Sequence, residues 1–205
     1  MEIIYISGSP CSGKSTLAGQ MSKKYGFEHF EFDDYLTPFM KQLAEQGNQL
    51  CQKTLNYSME EMWMRDPKKM CEDETRIYRD MMPLLNQKLN ECSFERLVLA
   101  EGAGIMPKEL KAMNVPRHRV VYIVPTKEFL ITKYSQRPWI QYFLAECSDP
   151  DTAFHNWMER DACFGRTILE EAKKFDYPAI VVDGTKTVEQ VLAVVEETLK
   201  MPVLE

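Results

Sequence analysis

What the sequence lacks excludes several classes of protein. No apolar run is long enough to span a bilayer, and no basic-then-apolar segment marks a secretion signal near the first residues. The six cysteines form no C-x-x-C pair, which argues against zinc or thioredoxin-type sites and is typical of reduced cytosolic thiols. A net charge of −6 provides no overall basic field for nucleic acid. We therefore expect a cytoplasmic protein with neither a membrane nor a nucleic acid as partner.

Length and composition indicate one folded unit. The chain has 205 residues, of which 44% are hydrophobic and 27% are charged, as in soluble globular proteins with a substantial core. No internal repeat or low-complexity segment interrupts it. We predict a single domain over residues 1–205.

The first 25 residues have the order of a strand, a glycine-bounded loop and a helix. Residues 3–6 are apolar and rich in β-branched and aromatic side chains, which suits a buried parallel strand. Residues 8–15 fit the spacing G-x-x-x-x-G-K-[ST], and Leu17 and Met21 follow at helical spacing. We call residues 8–15 the phosphate loop, because this order favours binding of a triphosphate.

The residue types of this loop explain the chemistry. Glycine lets the backbone approach a phosphate closely, and main-chain N–H groups at the start of a helix attract anions. Lys14 is expected to bridge the β- and γ-phosphates, and the Ser15 hydroxyl to ligate Mg²⁺. For Cys11, an inert loop residue and a modifiable thiol are both open interpretations. The predicted nucleotide-contacting residues of the loop are Gly8, Ser9, Cys11, Ser12, Gly13, Lys14, Ser15 and Thr16.

Two acidic residues follow the second predicted strand, residues 29–32. The carboxyl ends of parallel strands share one rim, so Asp33 and Asp34 should lie near the phosphate loop. Asp33 is expected to accept a proton from a substrate hydroxyl or to help order Mg²⁺ and its waters. Asp34 has two open interpretations, a substrate contact or a cap on the following helix.

A third predicted strand, residues 96–100, leads into Glu101 and Gly102. This is the position at which proteins with a phosphate loop carry a second acidic motif, although the strict form of that motif ends in aspartate. Glu101 is a candidate for holding a metal-bound water or for contacting the acceptor substrate. Gly102 would keep the backbone close to the ligand.

Two helical segments are expected to cover the site. Residues 36–93 are too long for a plain crossover and predict a helical insertion, in which Arg79 could meet an anionic acceptor. Residues 135–166 read as a helix, a turn and a helix, the pattern of a lid that excludes water. Its arginines Arg137, Arg160 and Arg166 are candidates for stabilising the transferred phosphoryl group, with surface ion pairs as the alternative.

The order of these pieces resembles that of the P-loop small-molecule kinases, which include nucleoside, nucleoside monophosphate, shikimate and gluconate kinases. The resemblance implies a three-layer α/β P-loop NTPase sandwich with a five-stranded parallel sheet in the order 2-3-1-4-5, a mobile lid, and ATP with Mg²⁺. It also implies that Asp33 is the base. The sequence has Gly-Lys-Ser where adenylate kinases have Gly-Lys-Gly, and it lacks the Asn-Lys-x-Asp signature of GTPases.

We therefore predict a kinase that transfers the γ-phosphoryl group of Mg·ATP to a small acceptor such as a nucleoside, a nucleotide or a sugar acid. The catalytic candidates are Lys14, Asp33, Arg137 and Arg160, with Ser15, Asp33 and Glu101 at the metal. Arg137 and Arg166 are expected to touch the nucleotide, and Asp33, Asp34, Arg79, Glu101 and Gly102 the acceptor. The protein is expected to be a monomer or a homodimer. Two alternatives stay open: an NTPase that hydrolyses ATP as a switch, and a non-catalytic nucleotide-binding module.

Overall fold

A computed structural model describes residues 2–202 of the chain. Its strands are β1 Ile3–Gly8, β2 Glu28–Glu31, β3 Val98–Glu101, β4 Val120–Pro125 and β5 Ala179–Val182. Its helices are α1 Lys14–Tyr25, α2 Leu36–Glu45, α3 Gln49–Leu55, α4 Met59–Trp63, α5 Pro67–Glu91, α6 Pro107–Ala112, α7 Lys127–Ser135, α8 Pro138–Leu144, α9 Pro150–Lys174 and α10 Val188–Thr198. Short 3-10 turns cover Phe32–Tyr35 and Arg117–Arg119.

The five strands form one parallel sheet in the order β2-β3-β1-β4-β5. This is the predicted order, and the prediction of a five-stranded parallel sheet is confirmed. The register aligns Ile6 of β1 with Glu101 of β3, and Gly8 of β1 with Ile123 of β4. The carboxyl ends of these strands therefore meet at one rim, where the phosphate loop begins.

Successive side chains of a strand lie on opposite faces of the sheet, so the core has two layers, one on each face. Ile4 and Ile6 of β1 pack with α1 and α10 on one face, whereas Tyr5 packs with α5 and α9 on the other. Every residue of β4 is buried, as expected of a central strand covered on both faces. Helix, sheet and helix form the three-layer sandwich predicted from the sequence.

The second strand ends one residue earlier than the sequence pattern predicts. The backbone N–H of Glu28 donates to the carbonyl of Leu97, so the strand begins at Glu28 and ends at Glu31 instead of Phe32. Phe32 is completely buried and starts the 3-10 turn that carries Asp33 and Asp34. Burial of Phe32 thus fixes the turn that presents the two carboxylates at the rim.

A third hydrophobic cluster links the insertion to the lid. The rings of Trp63 and Trp157 stack with their centroids 3.9 Å apart, and Tyr134 and Ile140 pack beside them. Helix α9 continues beyond the predicted lid, and its second half, including Phe164, lies in the core beneath the sheet. Between residues 2 and 202, none of the helices combines the length and the apolar character needed to cross a bilayer.

Candidate active site

The phosphate loop is held tightly against the sheet. Gly8 has φ +138°, and a Cβ atom there would lie 1.8 Å from the carbonyl oxygen of Ile123, so no side chain fits. Gly13 adopts φ +83° directly before α1, and Cys11 also has a positive φ. Lys14 is the first residue of α1 and is buried, with its amine close enough to Glu101 to influence its charge. This conformation aims main-chain N–H groups and a cation at one point.

A cavity of about 420 Å³ lies directly over this loop. We call it the Asp33 cavity, and its walls are residues 10–16 together with Asp33, Tyr78, Ala103, Tyr134 and Arg137. The structure thus brings eight of the predicted site residues together: Cys11, Ser12, Gly13, Lys14, Ser15, Thr16, Asp33 and Arg137. A carboxylate and the phosphate loop line the same cavity, although 17 residues lie between Ser15 and Asp33 in the sequence.

A second cavity of about 640 Å³ extends from the loop toward β5. We call it the β5 cavity. Its walls include Cys11, Ser12, Gly13 and Thr16 from the loop region, Phe129 and Lys133 from α7, and residues 180–184 at the end of β5. Arg137 lines both cavities. An elongated ligand with a polyphosphate could therefore lie in the β5 cavity and reach the Asp33 cavity past Arg137.

Glu101 is buried at the end of β3, with only 1% of its surface exposed. Burial raises the pKa of its carboxyl to about 7, while Lys14 and a hydrogen bond with Ser15 oppose this and Asp33 adds to it. Its Oε2 atom has no hydrogen-bond partner. A buried carboxylate oxygen without a partner, beside a serine hydroxyl and near Asp33, offers the hard oxygen donors that Mg²⁺ prefers.

These donors fit a magnesium ion that is held mainly by phosphate and water. Among residues 2–202, no group of three or more His, Cys, Asp and Glu side chains is arranged to hold a metal alone. Mg²⁺ commonly keeps several waters and takes only one or two protein ligands. Ser15 would be the direct ligand, with Glu101 and Asp33 close enough to hold its waters.

The turn after β3 brings the backbone close to Asp33. Gly102 has φ +151°, and a Cβ atom there would lie 2.7 Å from Cβ of Phe32 and 3.0 Å from a carboxylate oxygen of Asp33. The buried hydroxyl of Ser7 lies 2.9 Å from the carbonyl oxygens of both Gly102 and Ile105 and anchors this turn. Gly102 is thus required by close packing around the Asp33 carboxylate.

Two predicted site residues, Asp34 and Ser9, lie outside the walls of both cavities. Asp34 lines neither cavity, and α2 begins after Tyr35 without a side-chain cap, so Asp34 is not the cap of that helix. Ser9 is buried at the back of the loop, toward Gly165 of α9, and also lines neither cavity. The 3-10 turn at Phe32–Tyr35 and the tight seat of the loop on α9 explain these positions.

The arginines predicted at the site lie in different environments. Arg137 reaches both cavities and lies over the rings of Tyr134 and Trp139, at 5.0 and 5.8 Å from their centroids. Arg166 is exposed on α9 and lines neither cavity, so its contact with the nucleotide stays a prediction. Arg166 lies on the exposed face of α9, because Phe164 and Ile168 occupy the buried face of this helix.

Arg160 and Arg79 are bound by carboxylates instead of facing a ligand. Arg160 is half-buried, lies 2.6 Å from Glu74 and 2.6 Å from Asp161, and lines neither cavity. Arg79 pairs with Glu171 and lies 3.6 Å from Glu109. Each guanidinium thus lies beside two acidic groups, and the catalytic role of Arg160 and the acceptor contact of Arg79 stay predictions.

Tyr78 and Tyr134 line the Asp33 cavity, and the sequence analysis missed both. The Tyr78 hydroxyl donates to Glu74, 3.3 Å away, and burial raises the pKa of Glu74 to about 7 against the effect of Arg160. The i,i+4 spacing of Glu74 and Tyr78 on one helix was the only sequence signal of this contact.

Cys11 shows no sign of activation. Its side chain is half-buried against the hydrophobic cluster that contains Trp63 and Trp157. Burial raises the pKa of its thiol, although Arg137 and Lys14 oppose this. A thiol becomes a good nucleophile when its pKa is lowered. The structure favours the interpretation of Cys11 as an inert part of the loop.

Comparison with solved structures supports the fold. The chain is similar to TT1252 from Thermus thermophilus, with 16% identity, 98% of each chain covered and a TM-score of 0.50. It is also similar to shikimate kinase from Bacteroides thetaiotaomicron, with 15% identity, 98% of this chain and 99% of that chain covered, and a TM-score of 0.47. Deoxyadenosine kinase from M. mycoides with bound dATP gives 18% identity, coverage of 98% and 100%, and a TM-score of 0.47. The likeness to TT1252 supports the fold of the chain, and the subfamily stays unassigned.

Sequence comparison supplies the family. No curated protein matches the chain. A family model of an AAA domain matches residues 3–190, which is most of the chain. The chain therefore belongs to this AAA domain family.

Proposed function

We propose that this protein transfers the γ-phosphoryl group of Mg·ATP to a hydroxyl group of a small-molecule acceptor. One observation supports the proposal: Asp33, Lys14 and Ser15 line the same cavity. A loop that binds phosphate gives an ATPase or a binding module as readily as a kinase. A carboxylate in the same cavity adds the group that an acceptor hydroxyl requires.

Each residue has a distinct task in this proposal. The loop N–H groups and Lys14 hold the triphosphate, whose base and sugar occupy the β5 cavity. Mg²⁺ at Ser15 would neutralise phosphate charge, and Asp33 would orient the acceptor hydroxyl and accept its proton. Arg137, at the junction of the two cavities, would stabilise the charge that spreads over the transferred group.

The lid excludes the competing reaction. Water is a rival acceptor, and a cavity of about 420 Å³ that is open to solvent on one side admits a small acceptor but needs closure to exclude bulk water. Arg137 lies at the junction of α7 and α8, so closure of α8 would carry it toward the ligand. The same movement would complete the site and remove water.

The experiment is turnover of an acceptor panel with Mg·ATP, read by mass spectrometry of phosphorylated products. The panel includes nucleosides, nucleotides, sugars and sugar acids, with deoxyadenosine and shikimate among them. Asp33→Asn should abolish product formation while ATP affinity is retained, and Asp176→Asn, an exposed site after α9, should leave both unchanged. Steady ATP hydrolysis without any phosphorylated acceptor would favour the NTPase. ATP binding without turnover of any kind would favour the binding module.

A further inference from the structure

Few cations line the Asp33 cavity. Of its wall residues, only Lys14 and Arg137 carry a positive charge. Lys14 belongs to the phosphate loop, and Arg137 also lines the β5 cavity. Both are therefore placed to serve the triphosphate, which leaves no wall cation for the acceptor.

Arginines from neighbouring elements cannot fill this role, because acidic side chains already bind them. Arg160 lies between Glu74 and Asp161, and its guanidinium lies over the ring of Trp63, 5.1 Å from the centroid. Removing it from this largely enclosed position would leave two carboxylates without their cation, which is costly.

Two of the three arginines in the insertion are also paired. Arg65 lies 2.9 Å from Asp73 and over the ring of Tyr57. Arg79 is held by Glu171 and Glu109. Neither lines the cavity. The third, Arg76, is exposed on α5 and does not line the cavity either, so no arginine of the insertion belongs to the wall of the Asp33 cavity.

The acceptor end of the cavity has acidic rather than basic surroundings. Asp33 is in the wall, Glu101 lies behind it, and the wall hydroxyl of Tyr78 donates to a third carboxylate, Glu74. An acceptor with a phosphate or carboxylate group would lose its hydration and meet like charge without a cation in exchange. An uncharged acceptor would lose only hydroxyl hydration, which the Asp33 carboxylate can replace by accepting a hydrogen bond.

We propose that the acceptor is an uncharged hydroxyl compound, such as a nucleoside or a polyol, and not a phosphate ester or a carboxylic acid. This inference rests on the proposed kinase function and narrows its substrate class. Discrimination comes from unfavourable burial of the charged analogue as much as from contacts with the neutral one.

The test is a set of matched acceptor pairs that differ by one anionic group. Deoxyadenosine is paired with deoxyadenosine monophosphate, glucose with glucose 6-phosphate, and sorbitol with gluconate. For each pair with any turnover, kcat/KM for the neutral member should exceed that of the anionic member at least tenfold. Tyr78→Phe should raise KM for the neutral acceptor severalfold and leave KM for ATP unchanged.

The outcomes separate the two proposals. A preference for the anionic members, with phosphorylated products formed, would uphold the kinase function and overturn the inferred acceptor class. ATP consumption or ATP binding with no phosphorylated member of any pair would overturn the kinase function and, with it, the inference. A preference for the neutral members combined with a Tyr78→Phe effect on KM for ATP alone would remove the Asp33 cavity as the acceptor site and overturn the inference.

Discussion

Replacement of Glu101 by Gln tests the electrostatics of the site without any ligand. In the folded protein, burial raises the pKa of Glu101 from about 4.5 to about 7. The folded state therefore favours the neutral acid, and the stability that this provides is fully present below pH 4.5 and is lost as the pH rises through about 7. At about 1.4 kcal/mol for each pH unit, the ionised form costs the folded state up to about 3 kcal/mol.

Glu101→Gln removes this cost, because glutamine stays neutral at every pH. Between about pH 4.5 and pH 8, the unfolding free energy of the variant should gain up to about 3 kcal/mol relative to the original protein. Urea denaturation at a series of pH values, with chelator present and nucleotide absent, measures this difference. Glu74 titrates in both proteins and cancels from the comparison.

The matched control is Glu45→Gln, which changes an exposed carboxylate at the end of α2. Its stability difference from the original protein should stay within about 0.5 kcal/mol across the same pH range. A difference for Glu101→Gln that is equally flat would refute the burial of an ionisable carboxyl beside Lys14 and Ser15.

Three further predictions concern stability and ligand binding. Gly8→Ala should destabilise the protein by more than about 4 kcal/mol in urea denaturation, since its Cβ would lie 1.8 Å from the Ile123 carbonyl oxygen. Gly19→Ala is the control and should not destabilise the protein, because the space around Gly19 in α1 is open. Equal losses of stability in the two variants would contradict the packing of the loop. Arg160→Met should cost about 3–5 kcal/mol because it leaves Glu74 and Asp161 buried without their cation, measured against Arg76→Met as an exposed control. A loss below about 1 kcal/mol would contradict a structural role for that cluster. Lys14→Met should weaken Mg·ATP binding by roughly a hundredfold in calorimetry, and unchanged affinity would remove Lys14 from the phosphate site.

The elements that could be predicted are those with local signals. The phosphate loop has a fixed spacing within eight residues, and the central strands are continuous apolar runs, so their place in a parallel sheet follows from the sequence. Glu101 and Asp33 were found because each follows a strand, and strand ends share one rim. The structure places both at that rim, with Asp33 in the cavity wall.

The fates of the arginines could not be predicted, because their partners are distant in the sequence. Arg160 meets Glu74, 86 residues away, and Arg79 meets Glu171, 92 residues away, across the contact of α5 with α9. The sequence pattern therefore shows no partner for these guanidinium groups, because only tertiary packing brings the carboxylates to them. The wall position of Tyr78 depends on the same packing.

Phosphorus NMR of the protein with Mg·ATP and a neutral acceptor tests the central claim most directly, because it separates a phosphate ester from inorganic phosphate. We expect the γ-phosphate signal of ATP to be replaced by the signal of a new phosphate monoester. In Asp33→Asn the monoester should not form, while ATP still binds. Conversion of the γ-phosphate to inorganic phosphate alone, at the same rate with and without every acceptor tried, would contradict phosphoryl transfer at the Asp33 cavity.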